Sequence, residues 1–302
     1  MICKDRVVIV TGAGRGLGRA HALEFARQGA KVVVNDLGVA RDGTGDAASG
    51  PAQDVVAEIE KMGGQAVASP HDIATDDGAK ALVALAVDTF GGLDVLVNNA
   101  GFVRDRMLVN LSEDEWDAVV RVHLKGHFLP LKHAGLHWRA QSKAGNPVDA
   151  RVINTSSGAG LLGSVGQGNY SAAKAGVVGL TLVASAELGR YGVTVNAIAP
   201  AARTRMTEKV FAQAMARPAE GEFDTMAPDN VSPLVVWLGS TESRAVTGRV
   251  FEAEGGRICV MDAFRHGPSI DKGTRWNPSE IGEAVTVLLA QAPTPEPVYG
   301  AS

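Results

Sequence analysis

The chain lacks the features that mark several classes of protein. Only two cysteines, Cys3 and Cys259, occur in 302 residues. Two such distant thiols make no disulfide framework and have no metal-ligand spacing. A reducing, cytoplasmic setting is therefore expected, and no metal is assigned. Positive charge is not in excess: the net charge is −4 and the pI about 6.0. That balance argues against nucleic acid or an anionic membrane surface as partner. The first residues lack the basic start and apolar run of a secretion signal. No uncharged apolar stretch reaches the ~18 residues of a membrane span. Internal repeats and a clear second domain are missing too. The composition, 45% hydrophobic and 21% charged, is that of an ordinary globular protein.

What is present is a rhythm. Residues 7–10 form a continuous β-branched run, as a strand buried on both faces requires. Further strands are expected at 31–34, 66–69, 95–98, 152–155, 193–198 and 250–252. Helices are expected at 19–28, 55–62, 79–90, 170–190 and 231–238. A longer helical stretch at 113–139 contains Pro130, where a kink or break is expected. This alternation predicts an α/β fold: one Rossmann-type, doubly wound parallel sheet with helices on both faces. The domain is expected to span 1–255, with a C-terminal extension at 256–302 packed on the same domain or on a partner subunit. A short helix is expected in that extension at 278–289. Segments 37–50 and 201–227 break the rhythm, and the second reads as a lid.

The first strand runs into Thr-Gly-Ala-Gly-Arg-Gly-Leu-Gly at 11–18, which opens the first helix. Glycines there let a backbone approach a pyrophosphate, and the helix N-terminus offers free N–H groups. Gly12, Arg15, Gly16, Leu17 and Gly18 are the candidate phosphate-turn residues; the alternative is a tight β-to-α connection with no ligand. Asp36, at the end of the second strand, can accept hydrogen bonds from both hydroxyls of an adenosine ribose. It would repel the 2′-phosphate of NADP, so NAD is the expected cofactor. Arg15 could pair with a phosphate, but a guanidinium at the rim is tolerated where a buried like-charge clash is not. Asp72 and Ile73 either hold the adenine or belong to a helix N-cap region. Asn99, Ala100 and Gly101 can line a flat cofactor, and Asn98 either does so or braces the sheet.

Tyr170 and Lys174 stand four residues apart on a predicted helix, one turn apart on one face. A cation beside a phenol favours the phenolate. To work near neutrality the phenol must move roughly three units from its usual value of ~10, about 4 kcal/mol of differential stabilisation. One lysine supplies part of that shift.

Together these residues resemble the short-chain dehydrogenase/reductase family, over nearly the whole chain up to about Gly255. The matching pieces are TGAGRGLG at 11–18, NNAG at 98–101, Ser157, Tyr170-Ser-Ala-Ala-Lys174, and Asn196-Ala-Ile-Ala-Pro200. Within the family the chain is most similar to the dehydrogenase unit of peroxisomal-type multifunctional β-oxidation enzymes and their bacterial relatives. Asn35-Asp36-Leu37-Gly38, Arg104-Asp105-Arg106-Met107, Val122-His123-Leu124-Lys125-Gly126 and the segment 267–273 carry that likeness. The resemblance implies oxidation of 3-hydroxyacyl-CoA thioesters with NAD, or of hydroxysteroids, and a homodimer or homotetramer.

It also implies roles. Ser157, thirteen residues before the tyrosine, bonds the substrate oxygen, with Ser156 as its rival. Tyr170 is the base, and Lys174 lowers its pKa and holds the nicotinamide ribose. Pro200 and Thr204 flank the nicotinamide amide. Two departures stand out. His123 occupies the position of the family's catalytic asparagine, either as a proton relay titrating near neutrality or as a satisfied structural histidine. Ala201 stands where glycine is usual. Val103, Met107, Leu161, Leu162, Met206 and Phe211 either form an apolar substrate pocket or pack the core. The alternatives in function are an NADPH-dependent 3-oxoacyl thioester reductase and a catalytically silent nucleotide-sensing or scaffold protein.

Overall fold

The computed structural model describes residues 1–38, 50–204, 215–219, 221–262 and 264–301. Most of the loop expected at 37–50, part of the lid expected at 201–227, and Met206 and Phe211 lie outside the described residues.

The apolar run at the N-terminus becomes β1 (Val7–Thr11), buried at every position. Val8 and Val10 point into one core and Val7 and Ile9 into the other. Burying such a side chain contributes about 1.5–3 kcal/mol. Gains on both sides of the strand explain why it shows no polar alternation.

The chain then runs through α1 (Gly16–Arg27), β2 (Lys31–Asn35), α2 (Gly50–Lys61), β3 (Gln65–Ser69), α3 (Asp76–Phe90) and β4 (Val95–Asn98). It continues through α4 (Glu113–Val120), α5 (Gly126–Lys143), β5 (Ala150–Thr155), α6 (Gly158–Leu162), α7 (Gly168–Leu188) and β6 (Val193–Ala201). It finishes with α8 (Ser232–Gly239), β7 (Val250–Glu254), β8 (Arg257–Val260) and α9 (Ile281–Gln291). The strands form one sheet in the order β3-β2-β1-β4-β5-β6-β7-β8. All neighbours are parallel except β7 and β8. Helices α1, α2 and α8 supply one core, through Leu23, Phe25, Ile59 and Leu238. Helices α3, α5 and α7 supply the other, through Leu82, Leu131, Trp138 and Ala184. The strand order reverses between β1 and β4, and the crevice outside the strand ends there is where this architecture takes ligands.

Local signals set the ends of several elements. Thr75 caps α3 by accepting from the Gly78 N–H at 3.1 Å, and Gly91 ends that helix in the left-handed region. Ser112 and Glu115 form a reciprocal capping box at α4. The expected break in the long helix falls elsewhere than at Pro130. A π-helical turn, Arg121–Lys125, separates α4 from α5, and Pro130 is accommodated inside α5. The N–H that Pro130 lacks would have met the carbonyl of Gly126, the first residue of α5, so the missing bond falls at the junction with that irregular turn.

Helix α7 and the turn after it, Gly168–Tyr191, is the one candidate among the described residues long and apolar enough to cross a membrane. Its buried residues, among them Ala173, Lys174, Val177 and Thr181, face the sheet side. Past the turn at Gly255 and Gly256, β8 extends the sheet beyond the expected end of the domain. No residue of α9 is buried.

Candidate active site

Two walls form a cleft at the switch point, open to solvent and with a cavity volume of about 120 Å³. The first wall is backbone. Gly12 adopts φ +64°, and a Cβ there would stand 2.7 Å from the Ala100 Cα. A Cβ on Gly18 would stand 2.1 Å from the Gly12 carbonyl oxygen. No side chain fits at either position, so the turn hugs β4 and α1 starts close against it. Asn99 locks this arrangement: its Nδ2 donates to the Thr11 carbonyl at 2.9 Å, and its N–H to Thr11 Oγ1 at 2.9 Å. The Ala100 N–H donates to the same hydroxyl. Arg15 sits at the N-cap of α1 without a side-chain cap, and the first turn carries no acid. The helix start therefore keeps donors and a positive dipole end for an anion. Arg15 itself is exposed at the rim. Gly16 adopts φ +54° and approaches Thr204, while Leu17, Asn99, Gly101, Pro200 and Thr204 line the cleft.

Asp36 faces this turn. Its Oδ2 accepts from the Gly14 N–H at 2.8 Å and its Oδ1 from the Gly38 N–H at 2.7 Å. The carboxylate is thus fixed at the edge of the glycine turn, with lone pairs left for further donors. These residues fit the adenosine and pyrophosphate part of a dinucleotide. Asp72 and Ile73 are placed differently. Asp72 accepts from the Arg121 guanidinium at 2.5 Å and from the Ala74 N–H at 2.9 Å. Ile73 is buried against Gly126. Neither lines the cleft.

The second wall is made of side chains. Ser157 caps α6, accepting from the Ala159 N–H at 3.2 Å, and its hydroxyl stands beside the Tyr170 phenol. Its rival Ser156 is buried, with its hydroxyl given to the Lys174 carbonyl at 2.9 Å. Lys174 is 2% exposed; its Nζ donates to the Thr155 carbonyl at 2.6 Å and lies 5.6 Å from the centre of the Tyr170 ring. Burial pushes the Lys174 ammonium down to about 7. Tyr170 moves the other way from the sequence-based expectation. Burial raises its phenol above 10, and the neighbouring Ser157 hydroxyl only partly opposes this. In the protein alone, desolvation outweighs the help of the Ser157 hydroxyl.

His123 comes from the π turn and stands edge-on to Tyr170, ring centres 5.1 Å apart. Its Nε2 sits 3.0 Å from the Phe102 N and 2.6 Å from the Phe102 carbonyl. Gly101 makes room for it: a Cβ there would meet the imidazole Cε1 at 2.2 Å. Burial and the Lys174 charge hold His123 well below its usual pKa, so it is neutral at pH 7 rather than titrating near it. Asn98 braces, donating to the His127 carbonyl at 3.3 Å and to Asn154 Oδ1 at 3.0 Å. Asn196 likewise ties β6 to the entry of β7.

The cleft mouth joins the 104–106 loop to the start of α7. The Arg106 N–H donates to the Gly166 carbonyl at 2.8 Å, and Gln167 donates to Asp105 at 3.0 Å. Val103 and Gln167 line the cleft, whereas Met107 is mostly exposed and Leu161 and Leu162 are half-buried on α6. Leu108, Val109 and Val165 are exposed on these same two loops. Sequence reasoning missed Gln167 and Thr155. Their signal was position alone: three residues before the tyrosine, and the last residue of a strand.

A switch-point cleft with a glycine cradle on one side and a serine–tyrosine–lysine group on the other defines a nicotinamide-dependent oxidoreductase. The chain belongs to the short chain dehydrogenase family: residues 6–215 match its family model. Such enzymes use NAD(P). Among relatives, it is 46% identical to the hydroxyacyl-CoA dehydrogenase ChsB1 of Mycobacterium tuberculosis, covering 91% of this chain and 86% of that one. It is 44% identical to the mouse (Mus musculus) peroxisomal multifunctional enzyme type 2, over 84% of this chain but 32% of that longer protein. A 3-oxoacyl-[acyl-carrier-protein] reductase of Synechocystis is 40% identical, over 84% of this chain and 97% of that one. Among solved structures, a short chain dehydrogenase from Mycobacterium avium is 60% identical, with TM-score 0.89 and full coverage of both chains.

Proposed function

We propose that the protein is an NAD-dependent dehydrogenase that oxidises the secondary alcohol of a 3-hydroxyacyl-CoA-like or hydroxysteroid substrate, working as a homodimer or homotetramer. The observation that carries the cofactor choice is Asp36, fixed on the Gly14 N–H at 2.8 Å. A carboxylate there accepts ribose hydroxyls and repels a 2′-phosphate. Gly12, Arg15, Gly16, Leu17, Gly18, Asn99, Ala100, Gly101, Pro200 and Thr204 complete the cofactor side, whereas Asp72 is engaged by Arg121 and Ile73 is buried outside the cleft. NAD, when bound, supplies the hydride acceptor. Ser157 hydrogen-bonds the substrate oxygen, and Tyr170 takes the hydroxyl proton. Tyr170 becomes a base once positive charge is added beside it, since the phenol of the protein alone lies too high. Lys174 holds the ribose and stabilises the phenolate. The apolar residues Leu108, Val109 and Val165 at the mouth suit an acyl or steroid body.

The likeness to ChsB1 and to the multifunctional enzyme supports an acyl-CoA substrate. The likeness to the Synechocystis reductase supports the second reading, a 3-oxoacyl thioester reductase using NADPH. The test is NAD reduction with 3-hydroxyacyl-CoAs of varied length and with hydroxysteroids, followed by titration with NADH and NADPH. Turnover of either alcohol class with NAD is expected. A strong preference for NADPH overturns the reading of Asp36.

A further inference from the structure

Two residues past β6 the chain buries a charge that the chemistry above does not use. Arg203 is 8% exposed and stands next to Thr204 in the chain. A guanidinium so deep in protein has to be paired, with its donors engaged. Its Nη1 donates to the carbonyls of Met215 at 3.0 Å and Ala216 at 3.1 Å. Its Nη2 pairs with the Asp224 carboxylate. The Arg203 backbone N–H donates to the Met226 carbonyl at 2.7 Å. Asp224 is fixed in turn: its Oδ1 accepts from the Met226 N–H at 3.2 Å, and its carbonyl accepts from Asn230 Nδ2 at 2.8 Å. One side chain thus gathers positions 215, 216 and 224 around the end of β6. Arg203 and Asp224 line a second cavity together with Gly16 and Thr204. Thr204 also lines the cofactor cleft, so it is a wall common to both. Against that wall stands the glycine turn: a Cβ on Gly16 would lie 3.7 Å from Thr204 Cγ2. Asp36 is held by other groups, the N–H of Gly14 and the N–H of Gly38.

We propose that Arg203 is a positioning residue for the nicotinamide half of the cofactor: by clasping Met215, Ala216 and Asp224 it holds Thr204 against Gly16 and sets that end of the cleft in advance of binding. The inference rests on the NAD reading of the cleft. Arg203 acts through Thr204, because its own guanidinium is committed to two carbonyls and a carboxylate. A planar fork suits this task. Its fixed donors take three oxygens at once, which an ammonium on a flexible stem does not reproduce. A wall that is already in place loses little freedom when a ligand arrives, so the benefit is read in affinity. The two halves of the cofactor therefore depend on different parts of the chain. The adenosine half docks at Asp36, whose holders lie in the glycine turn and just after β2, while the nicotinamide half depends on the clasp past β6.

The test compares Arg203→Met, Arg203→Lys and Asp224→Asn with the parent in two binding measurements. NADH is titrated by its own fluorescence, and AMP, which carries only the adenosine half, by displacing NADH. For Arg203→Met the expected result is NADH affinity about tenfold weaker, with AMP affinity unchanged. Arg203→Lys recovers part of the NADH affinity, since it keeps a charge beside Asp224. Asp224→Asn leaves Arg203 its two carbonyls, so it weakens NADH binding less than Arg203→Met does. Thermal melting shows which variants are folded, and Arg203→Lys and Asp224→Asn carry the comparison if Arg203→Met is not. NADH affinity equal to the parent's in every folded variant overturns the proposal. So does an equal loss of NADH and AMP affinity, which would make Arg203 a support of the whole fold. A parent that binds no NADH overturns the cofactor reading itself, whereas a parent that binds it as tightly as all the folded variants do overturns only the role of Arg203.

Discussion

The two walls of the cleft work by opposite means. On the β1–α1 side the functional groups are peptide N–H groups, and the side chains matter by being absent. On the α5–α7 side the proposed chemistry rests on side-chain atoms of Ser157, Tyr170 and Lys174, with His123 beside them on the π turn. The first wall is therefore broken by adding a methyl group, the second by removing a single atom. A Cβ at Gly18 has 2.1 Å to the nearest backbone oxygen. Ser157, by contrast, sits in a half-buried position where loss of its hydroxyl leaves the packing intact. Damage to the first wall should appear in binding and folding, and damage to the second in rate.

The sharpest test of that division is Tyr170→Phe. It should lower kcat by about 10³, within the range for loss of a general base, and leave NAD affinity within about threefold. A large loss of NAD affinity in that variant would merge the two walls into one. A smaller effect is expected from Gly18→Ala. Overpacking against the Gly12 carbonyl should cost about 1–3 kcal/mol of stability, read as a lower denaturant midpoint, with weakened NAD binding. Normal stability and binding in that variant would show that the turn gives way easily.

A third effect is in pH. His21, on the backbone wall, is pushed by burial from 6.5 down to about 3, and His123 and His127 lie well below 6.5. Between 6.5 and those folded values the unfolded chain binds protons that the folded chain refuses. Stability is therefore complete above pH 6.5 and falls as pH drops, by about 1.4 kcal/mol per unit for each histidine at the steepest. Urea midpoints at pH 7 and 4.5 measure the slope. Replacing His123 and His127 with glutamine should flatten most of it, while the part owed to His21 persists. An unaltered slope would place the penalty elsewhere.

The same contrast explains what the sequence made legible. A wall of glycines has a spelling, so the turn at Gly12 to Gly18 and its partner Asp36 could be found by spacing. The apolar runs of β1 and β4 gave the sheet, because burial on both faces leaves no other pattern. The side-chain wall was legible only where two groups share a helix turn, as Tyr170 and Lys174 do. The π turn was not, since one extra residue in a helix leaves no mark in a 3.6-residue period, and Pro130 drew attention to the wrong place. β8 escaped because four residues with an exposed outer side, among them Ile258 and Val260, bury too little to show a strand pattern. Ser156 and Ser157 look alike in sequence. They are told apart by the Lys174 carbonyl, a partner eighteen residues away. The neutral state of His123 likewise depends on burial that only the fold creates.

Gly101 and His123 share one volume, the imidazole standing where any side chain at 101 would have to be. The two positions therefore have a mutational order. Enlarging residue 101 first drives a side chain into the imidazole, whereas trimming the histidine first removes the atoms nearest to it. A lineage that has acquired this histidine is held to glycine at 101 for as long as it keeps the ring.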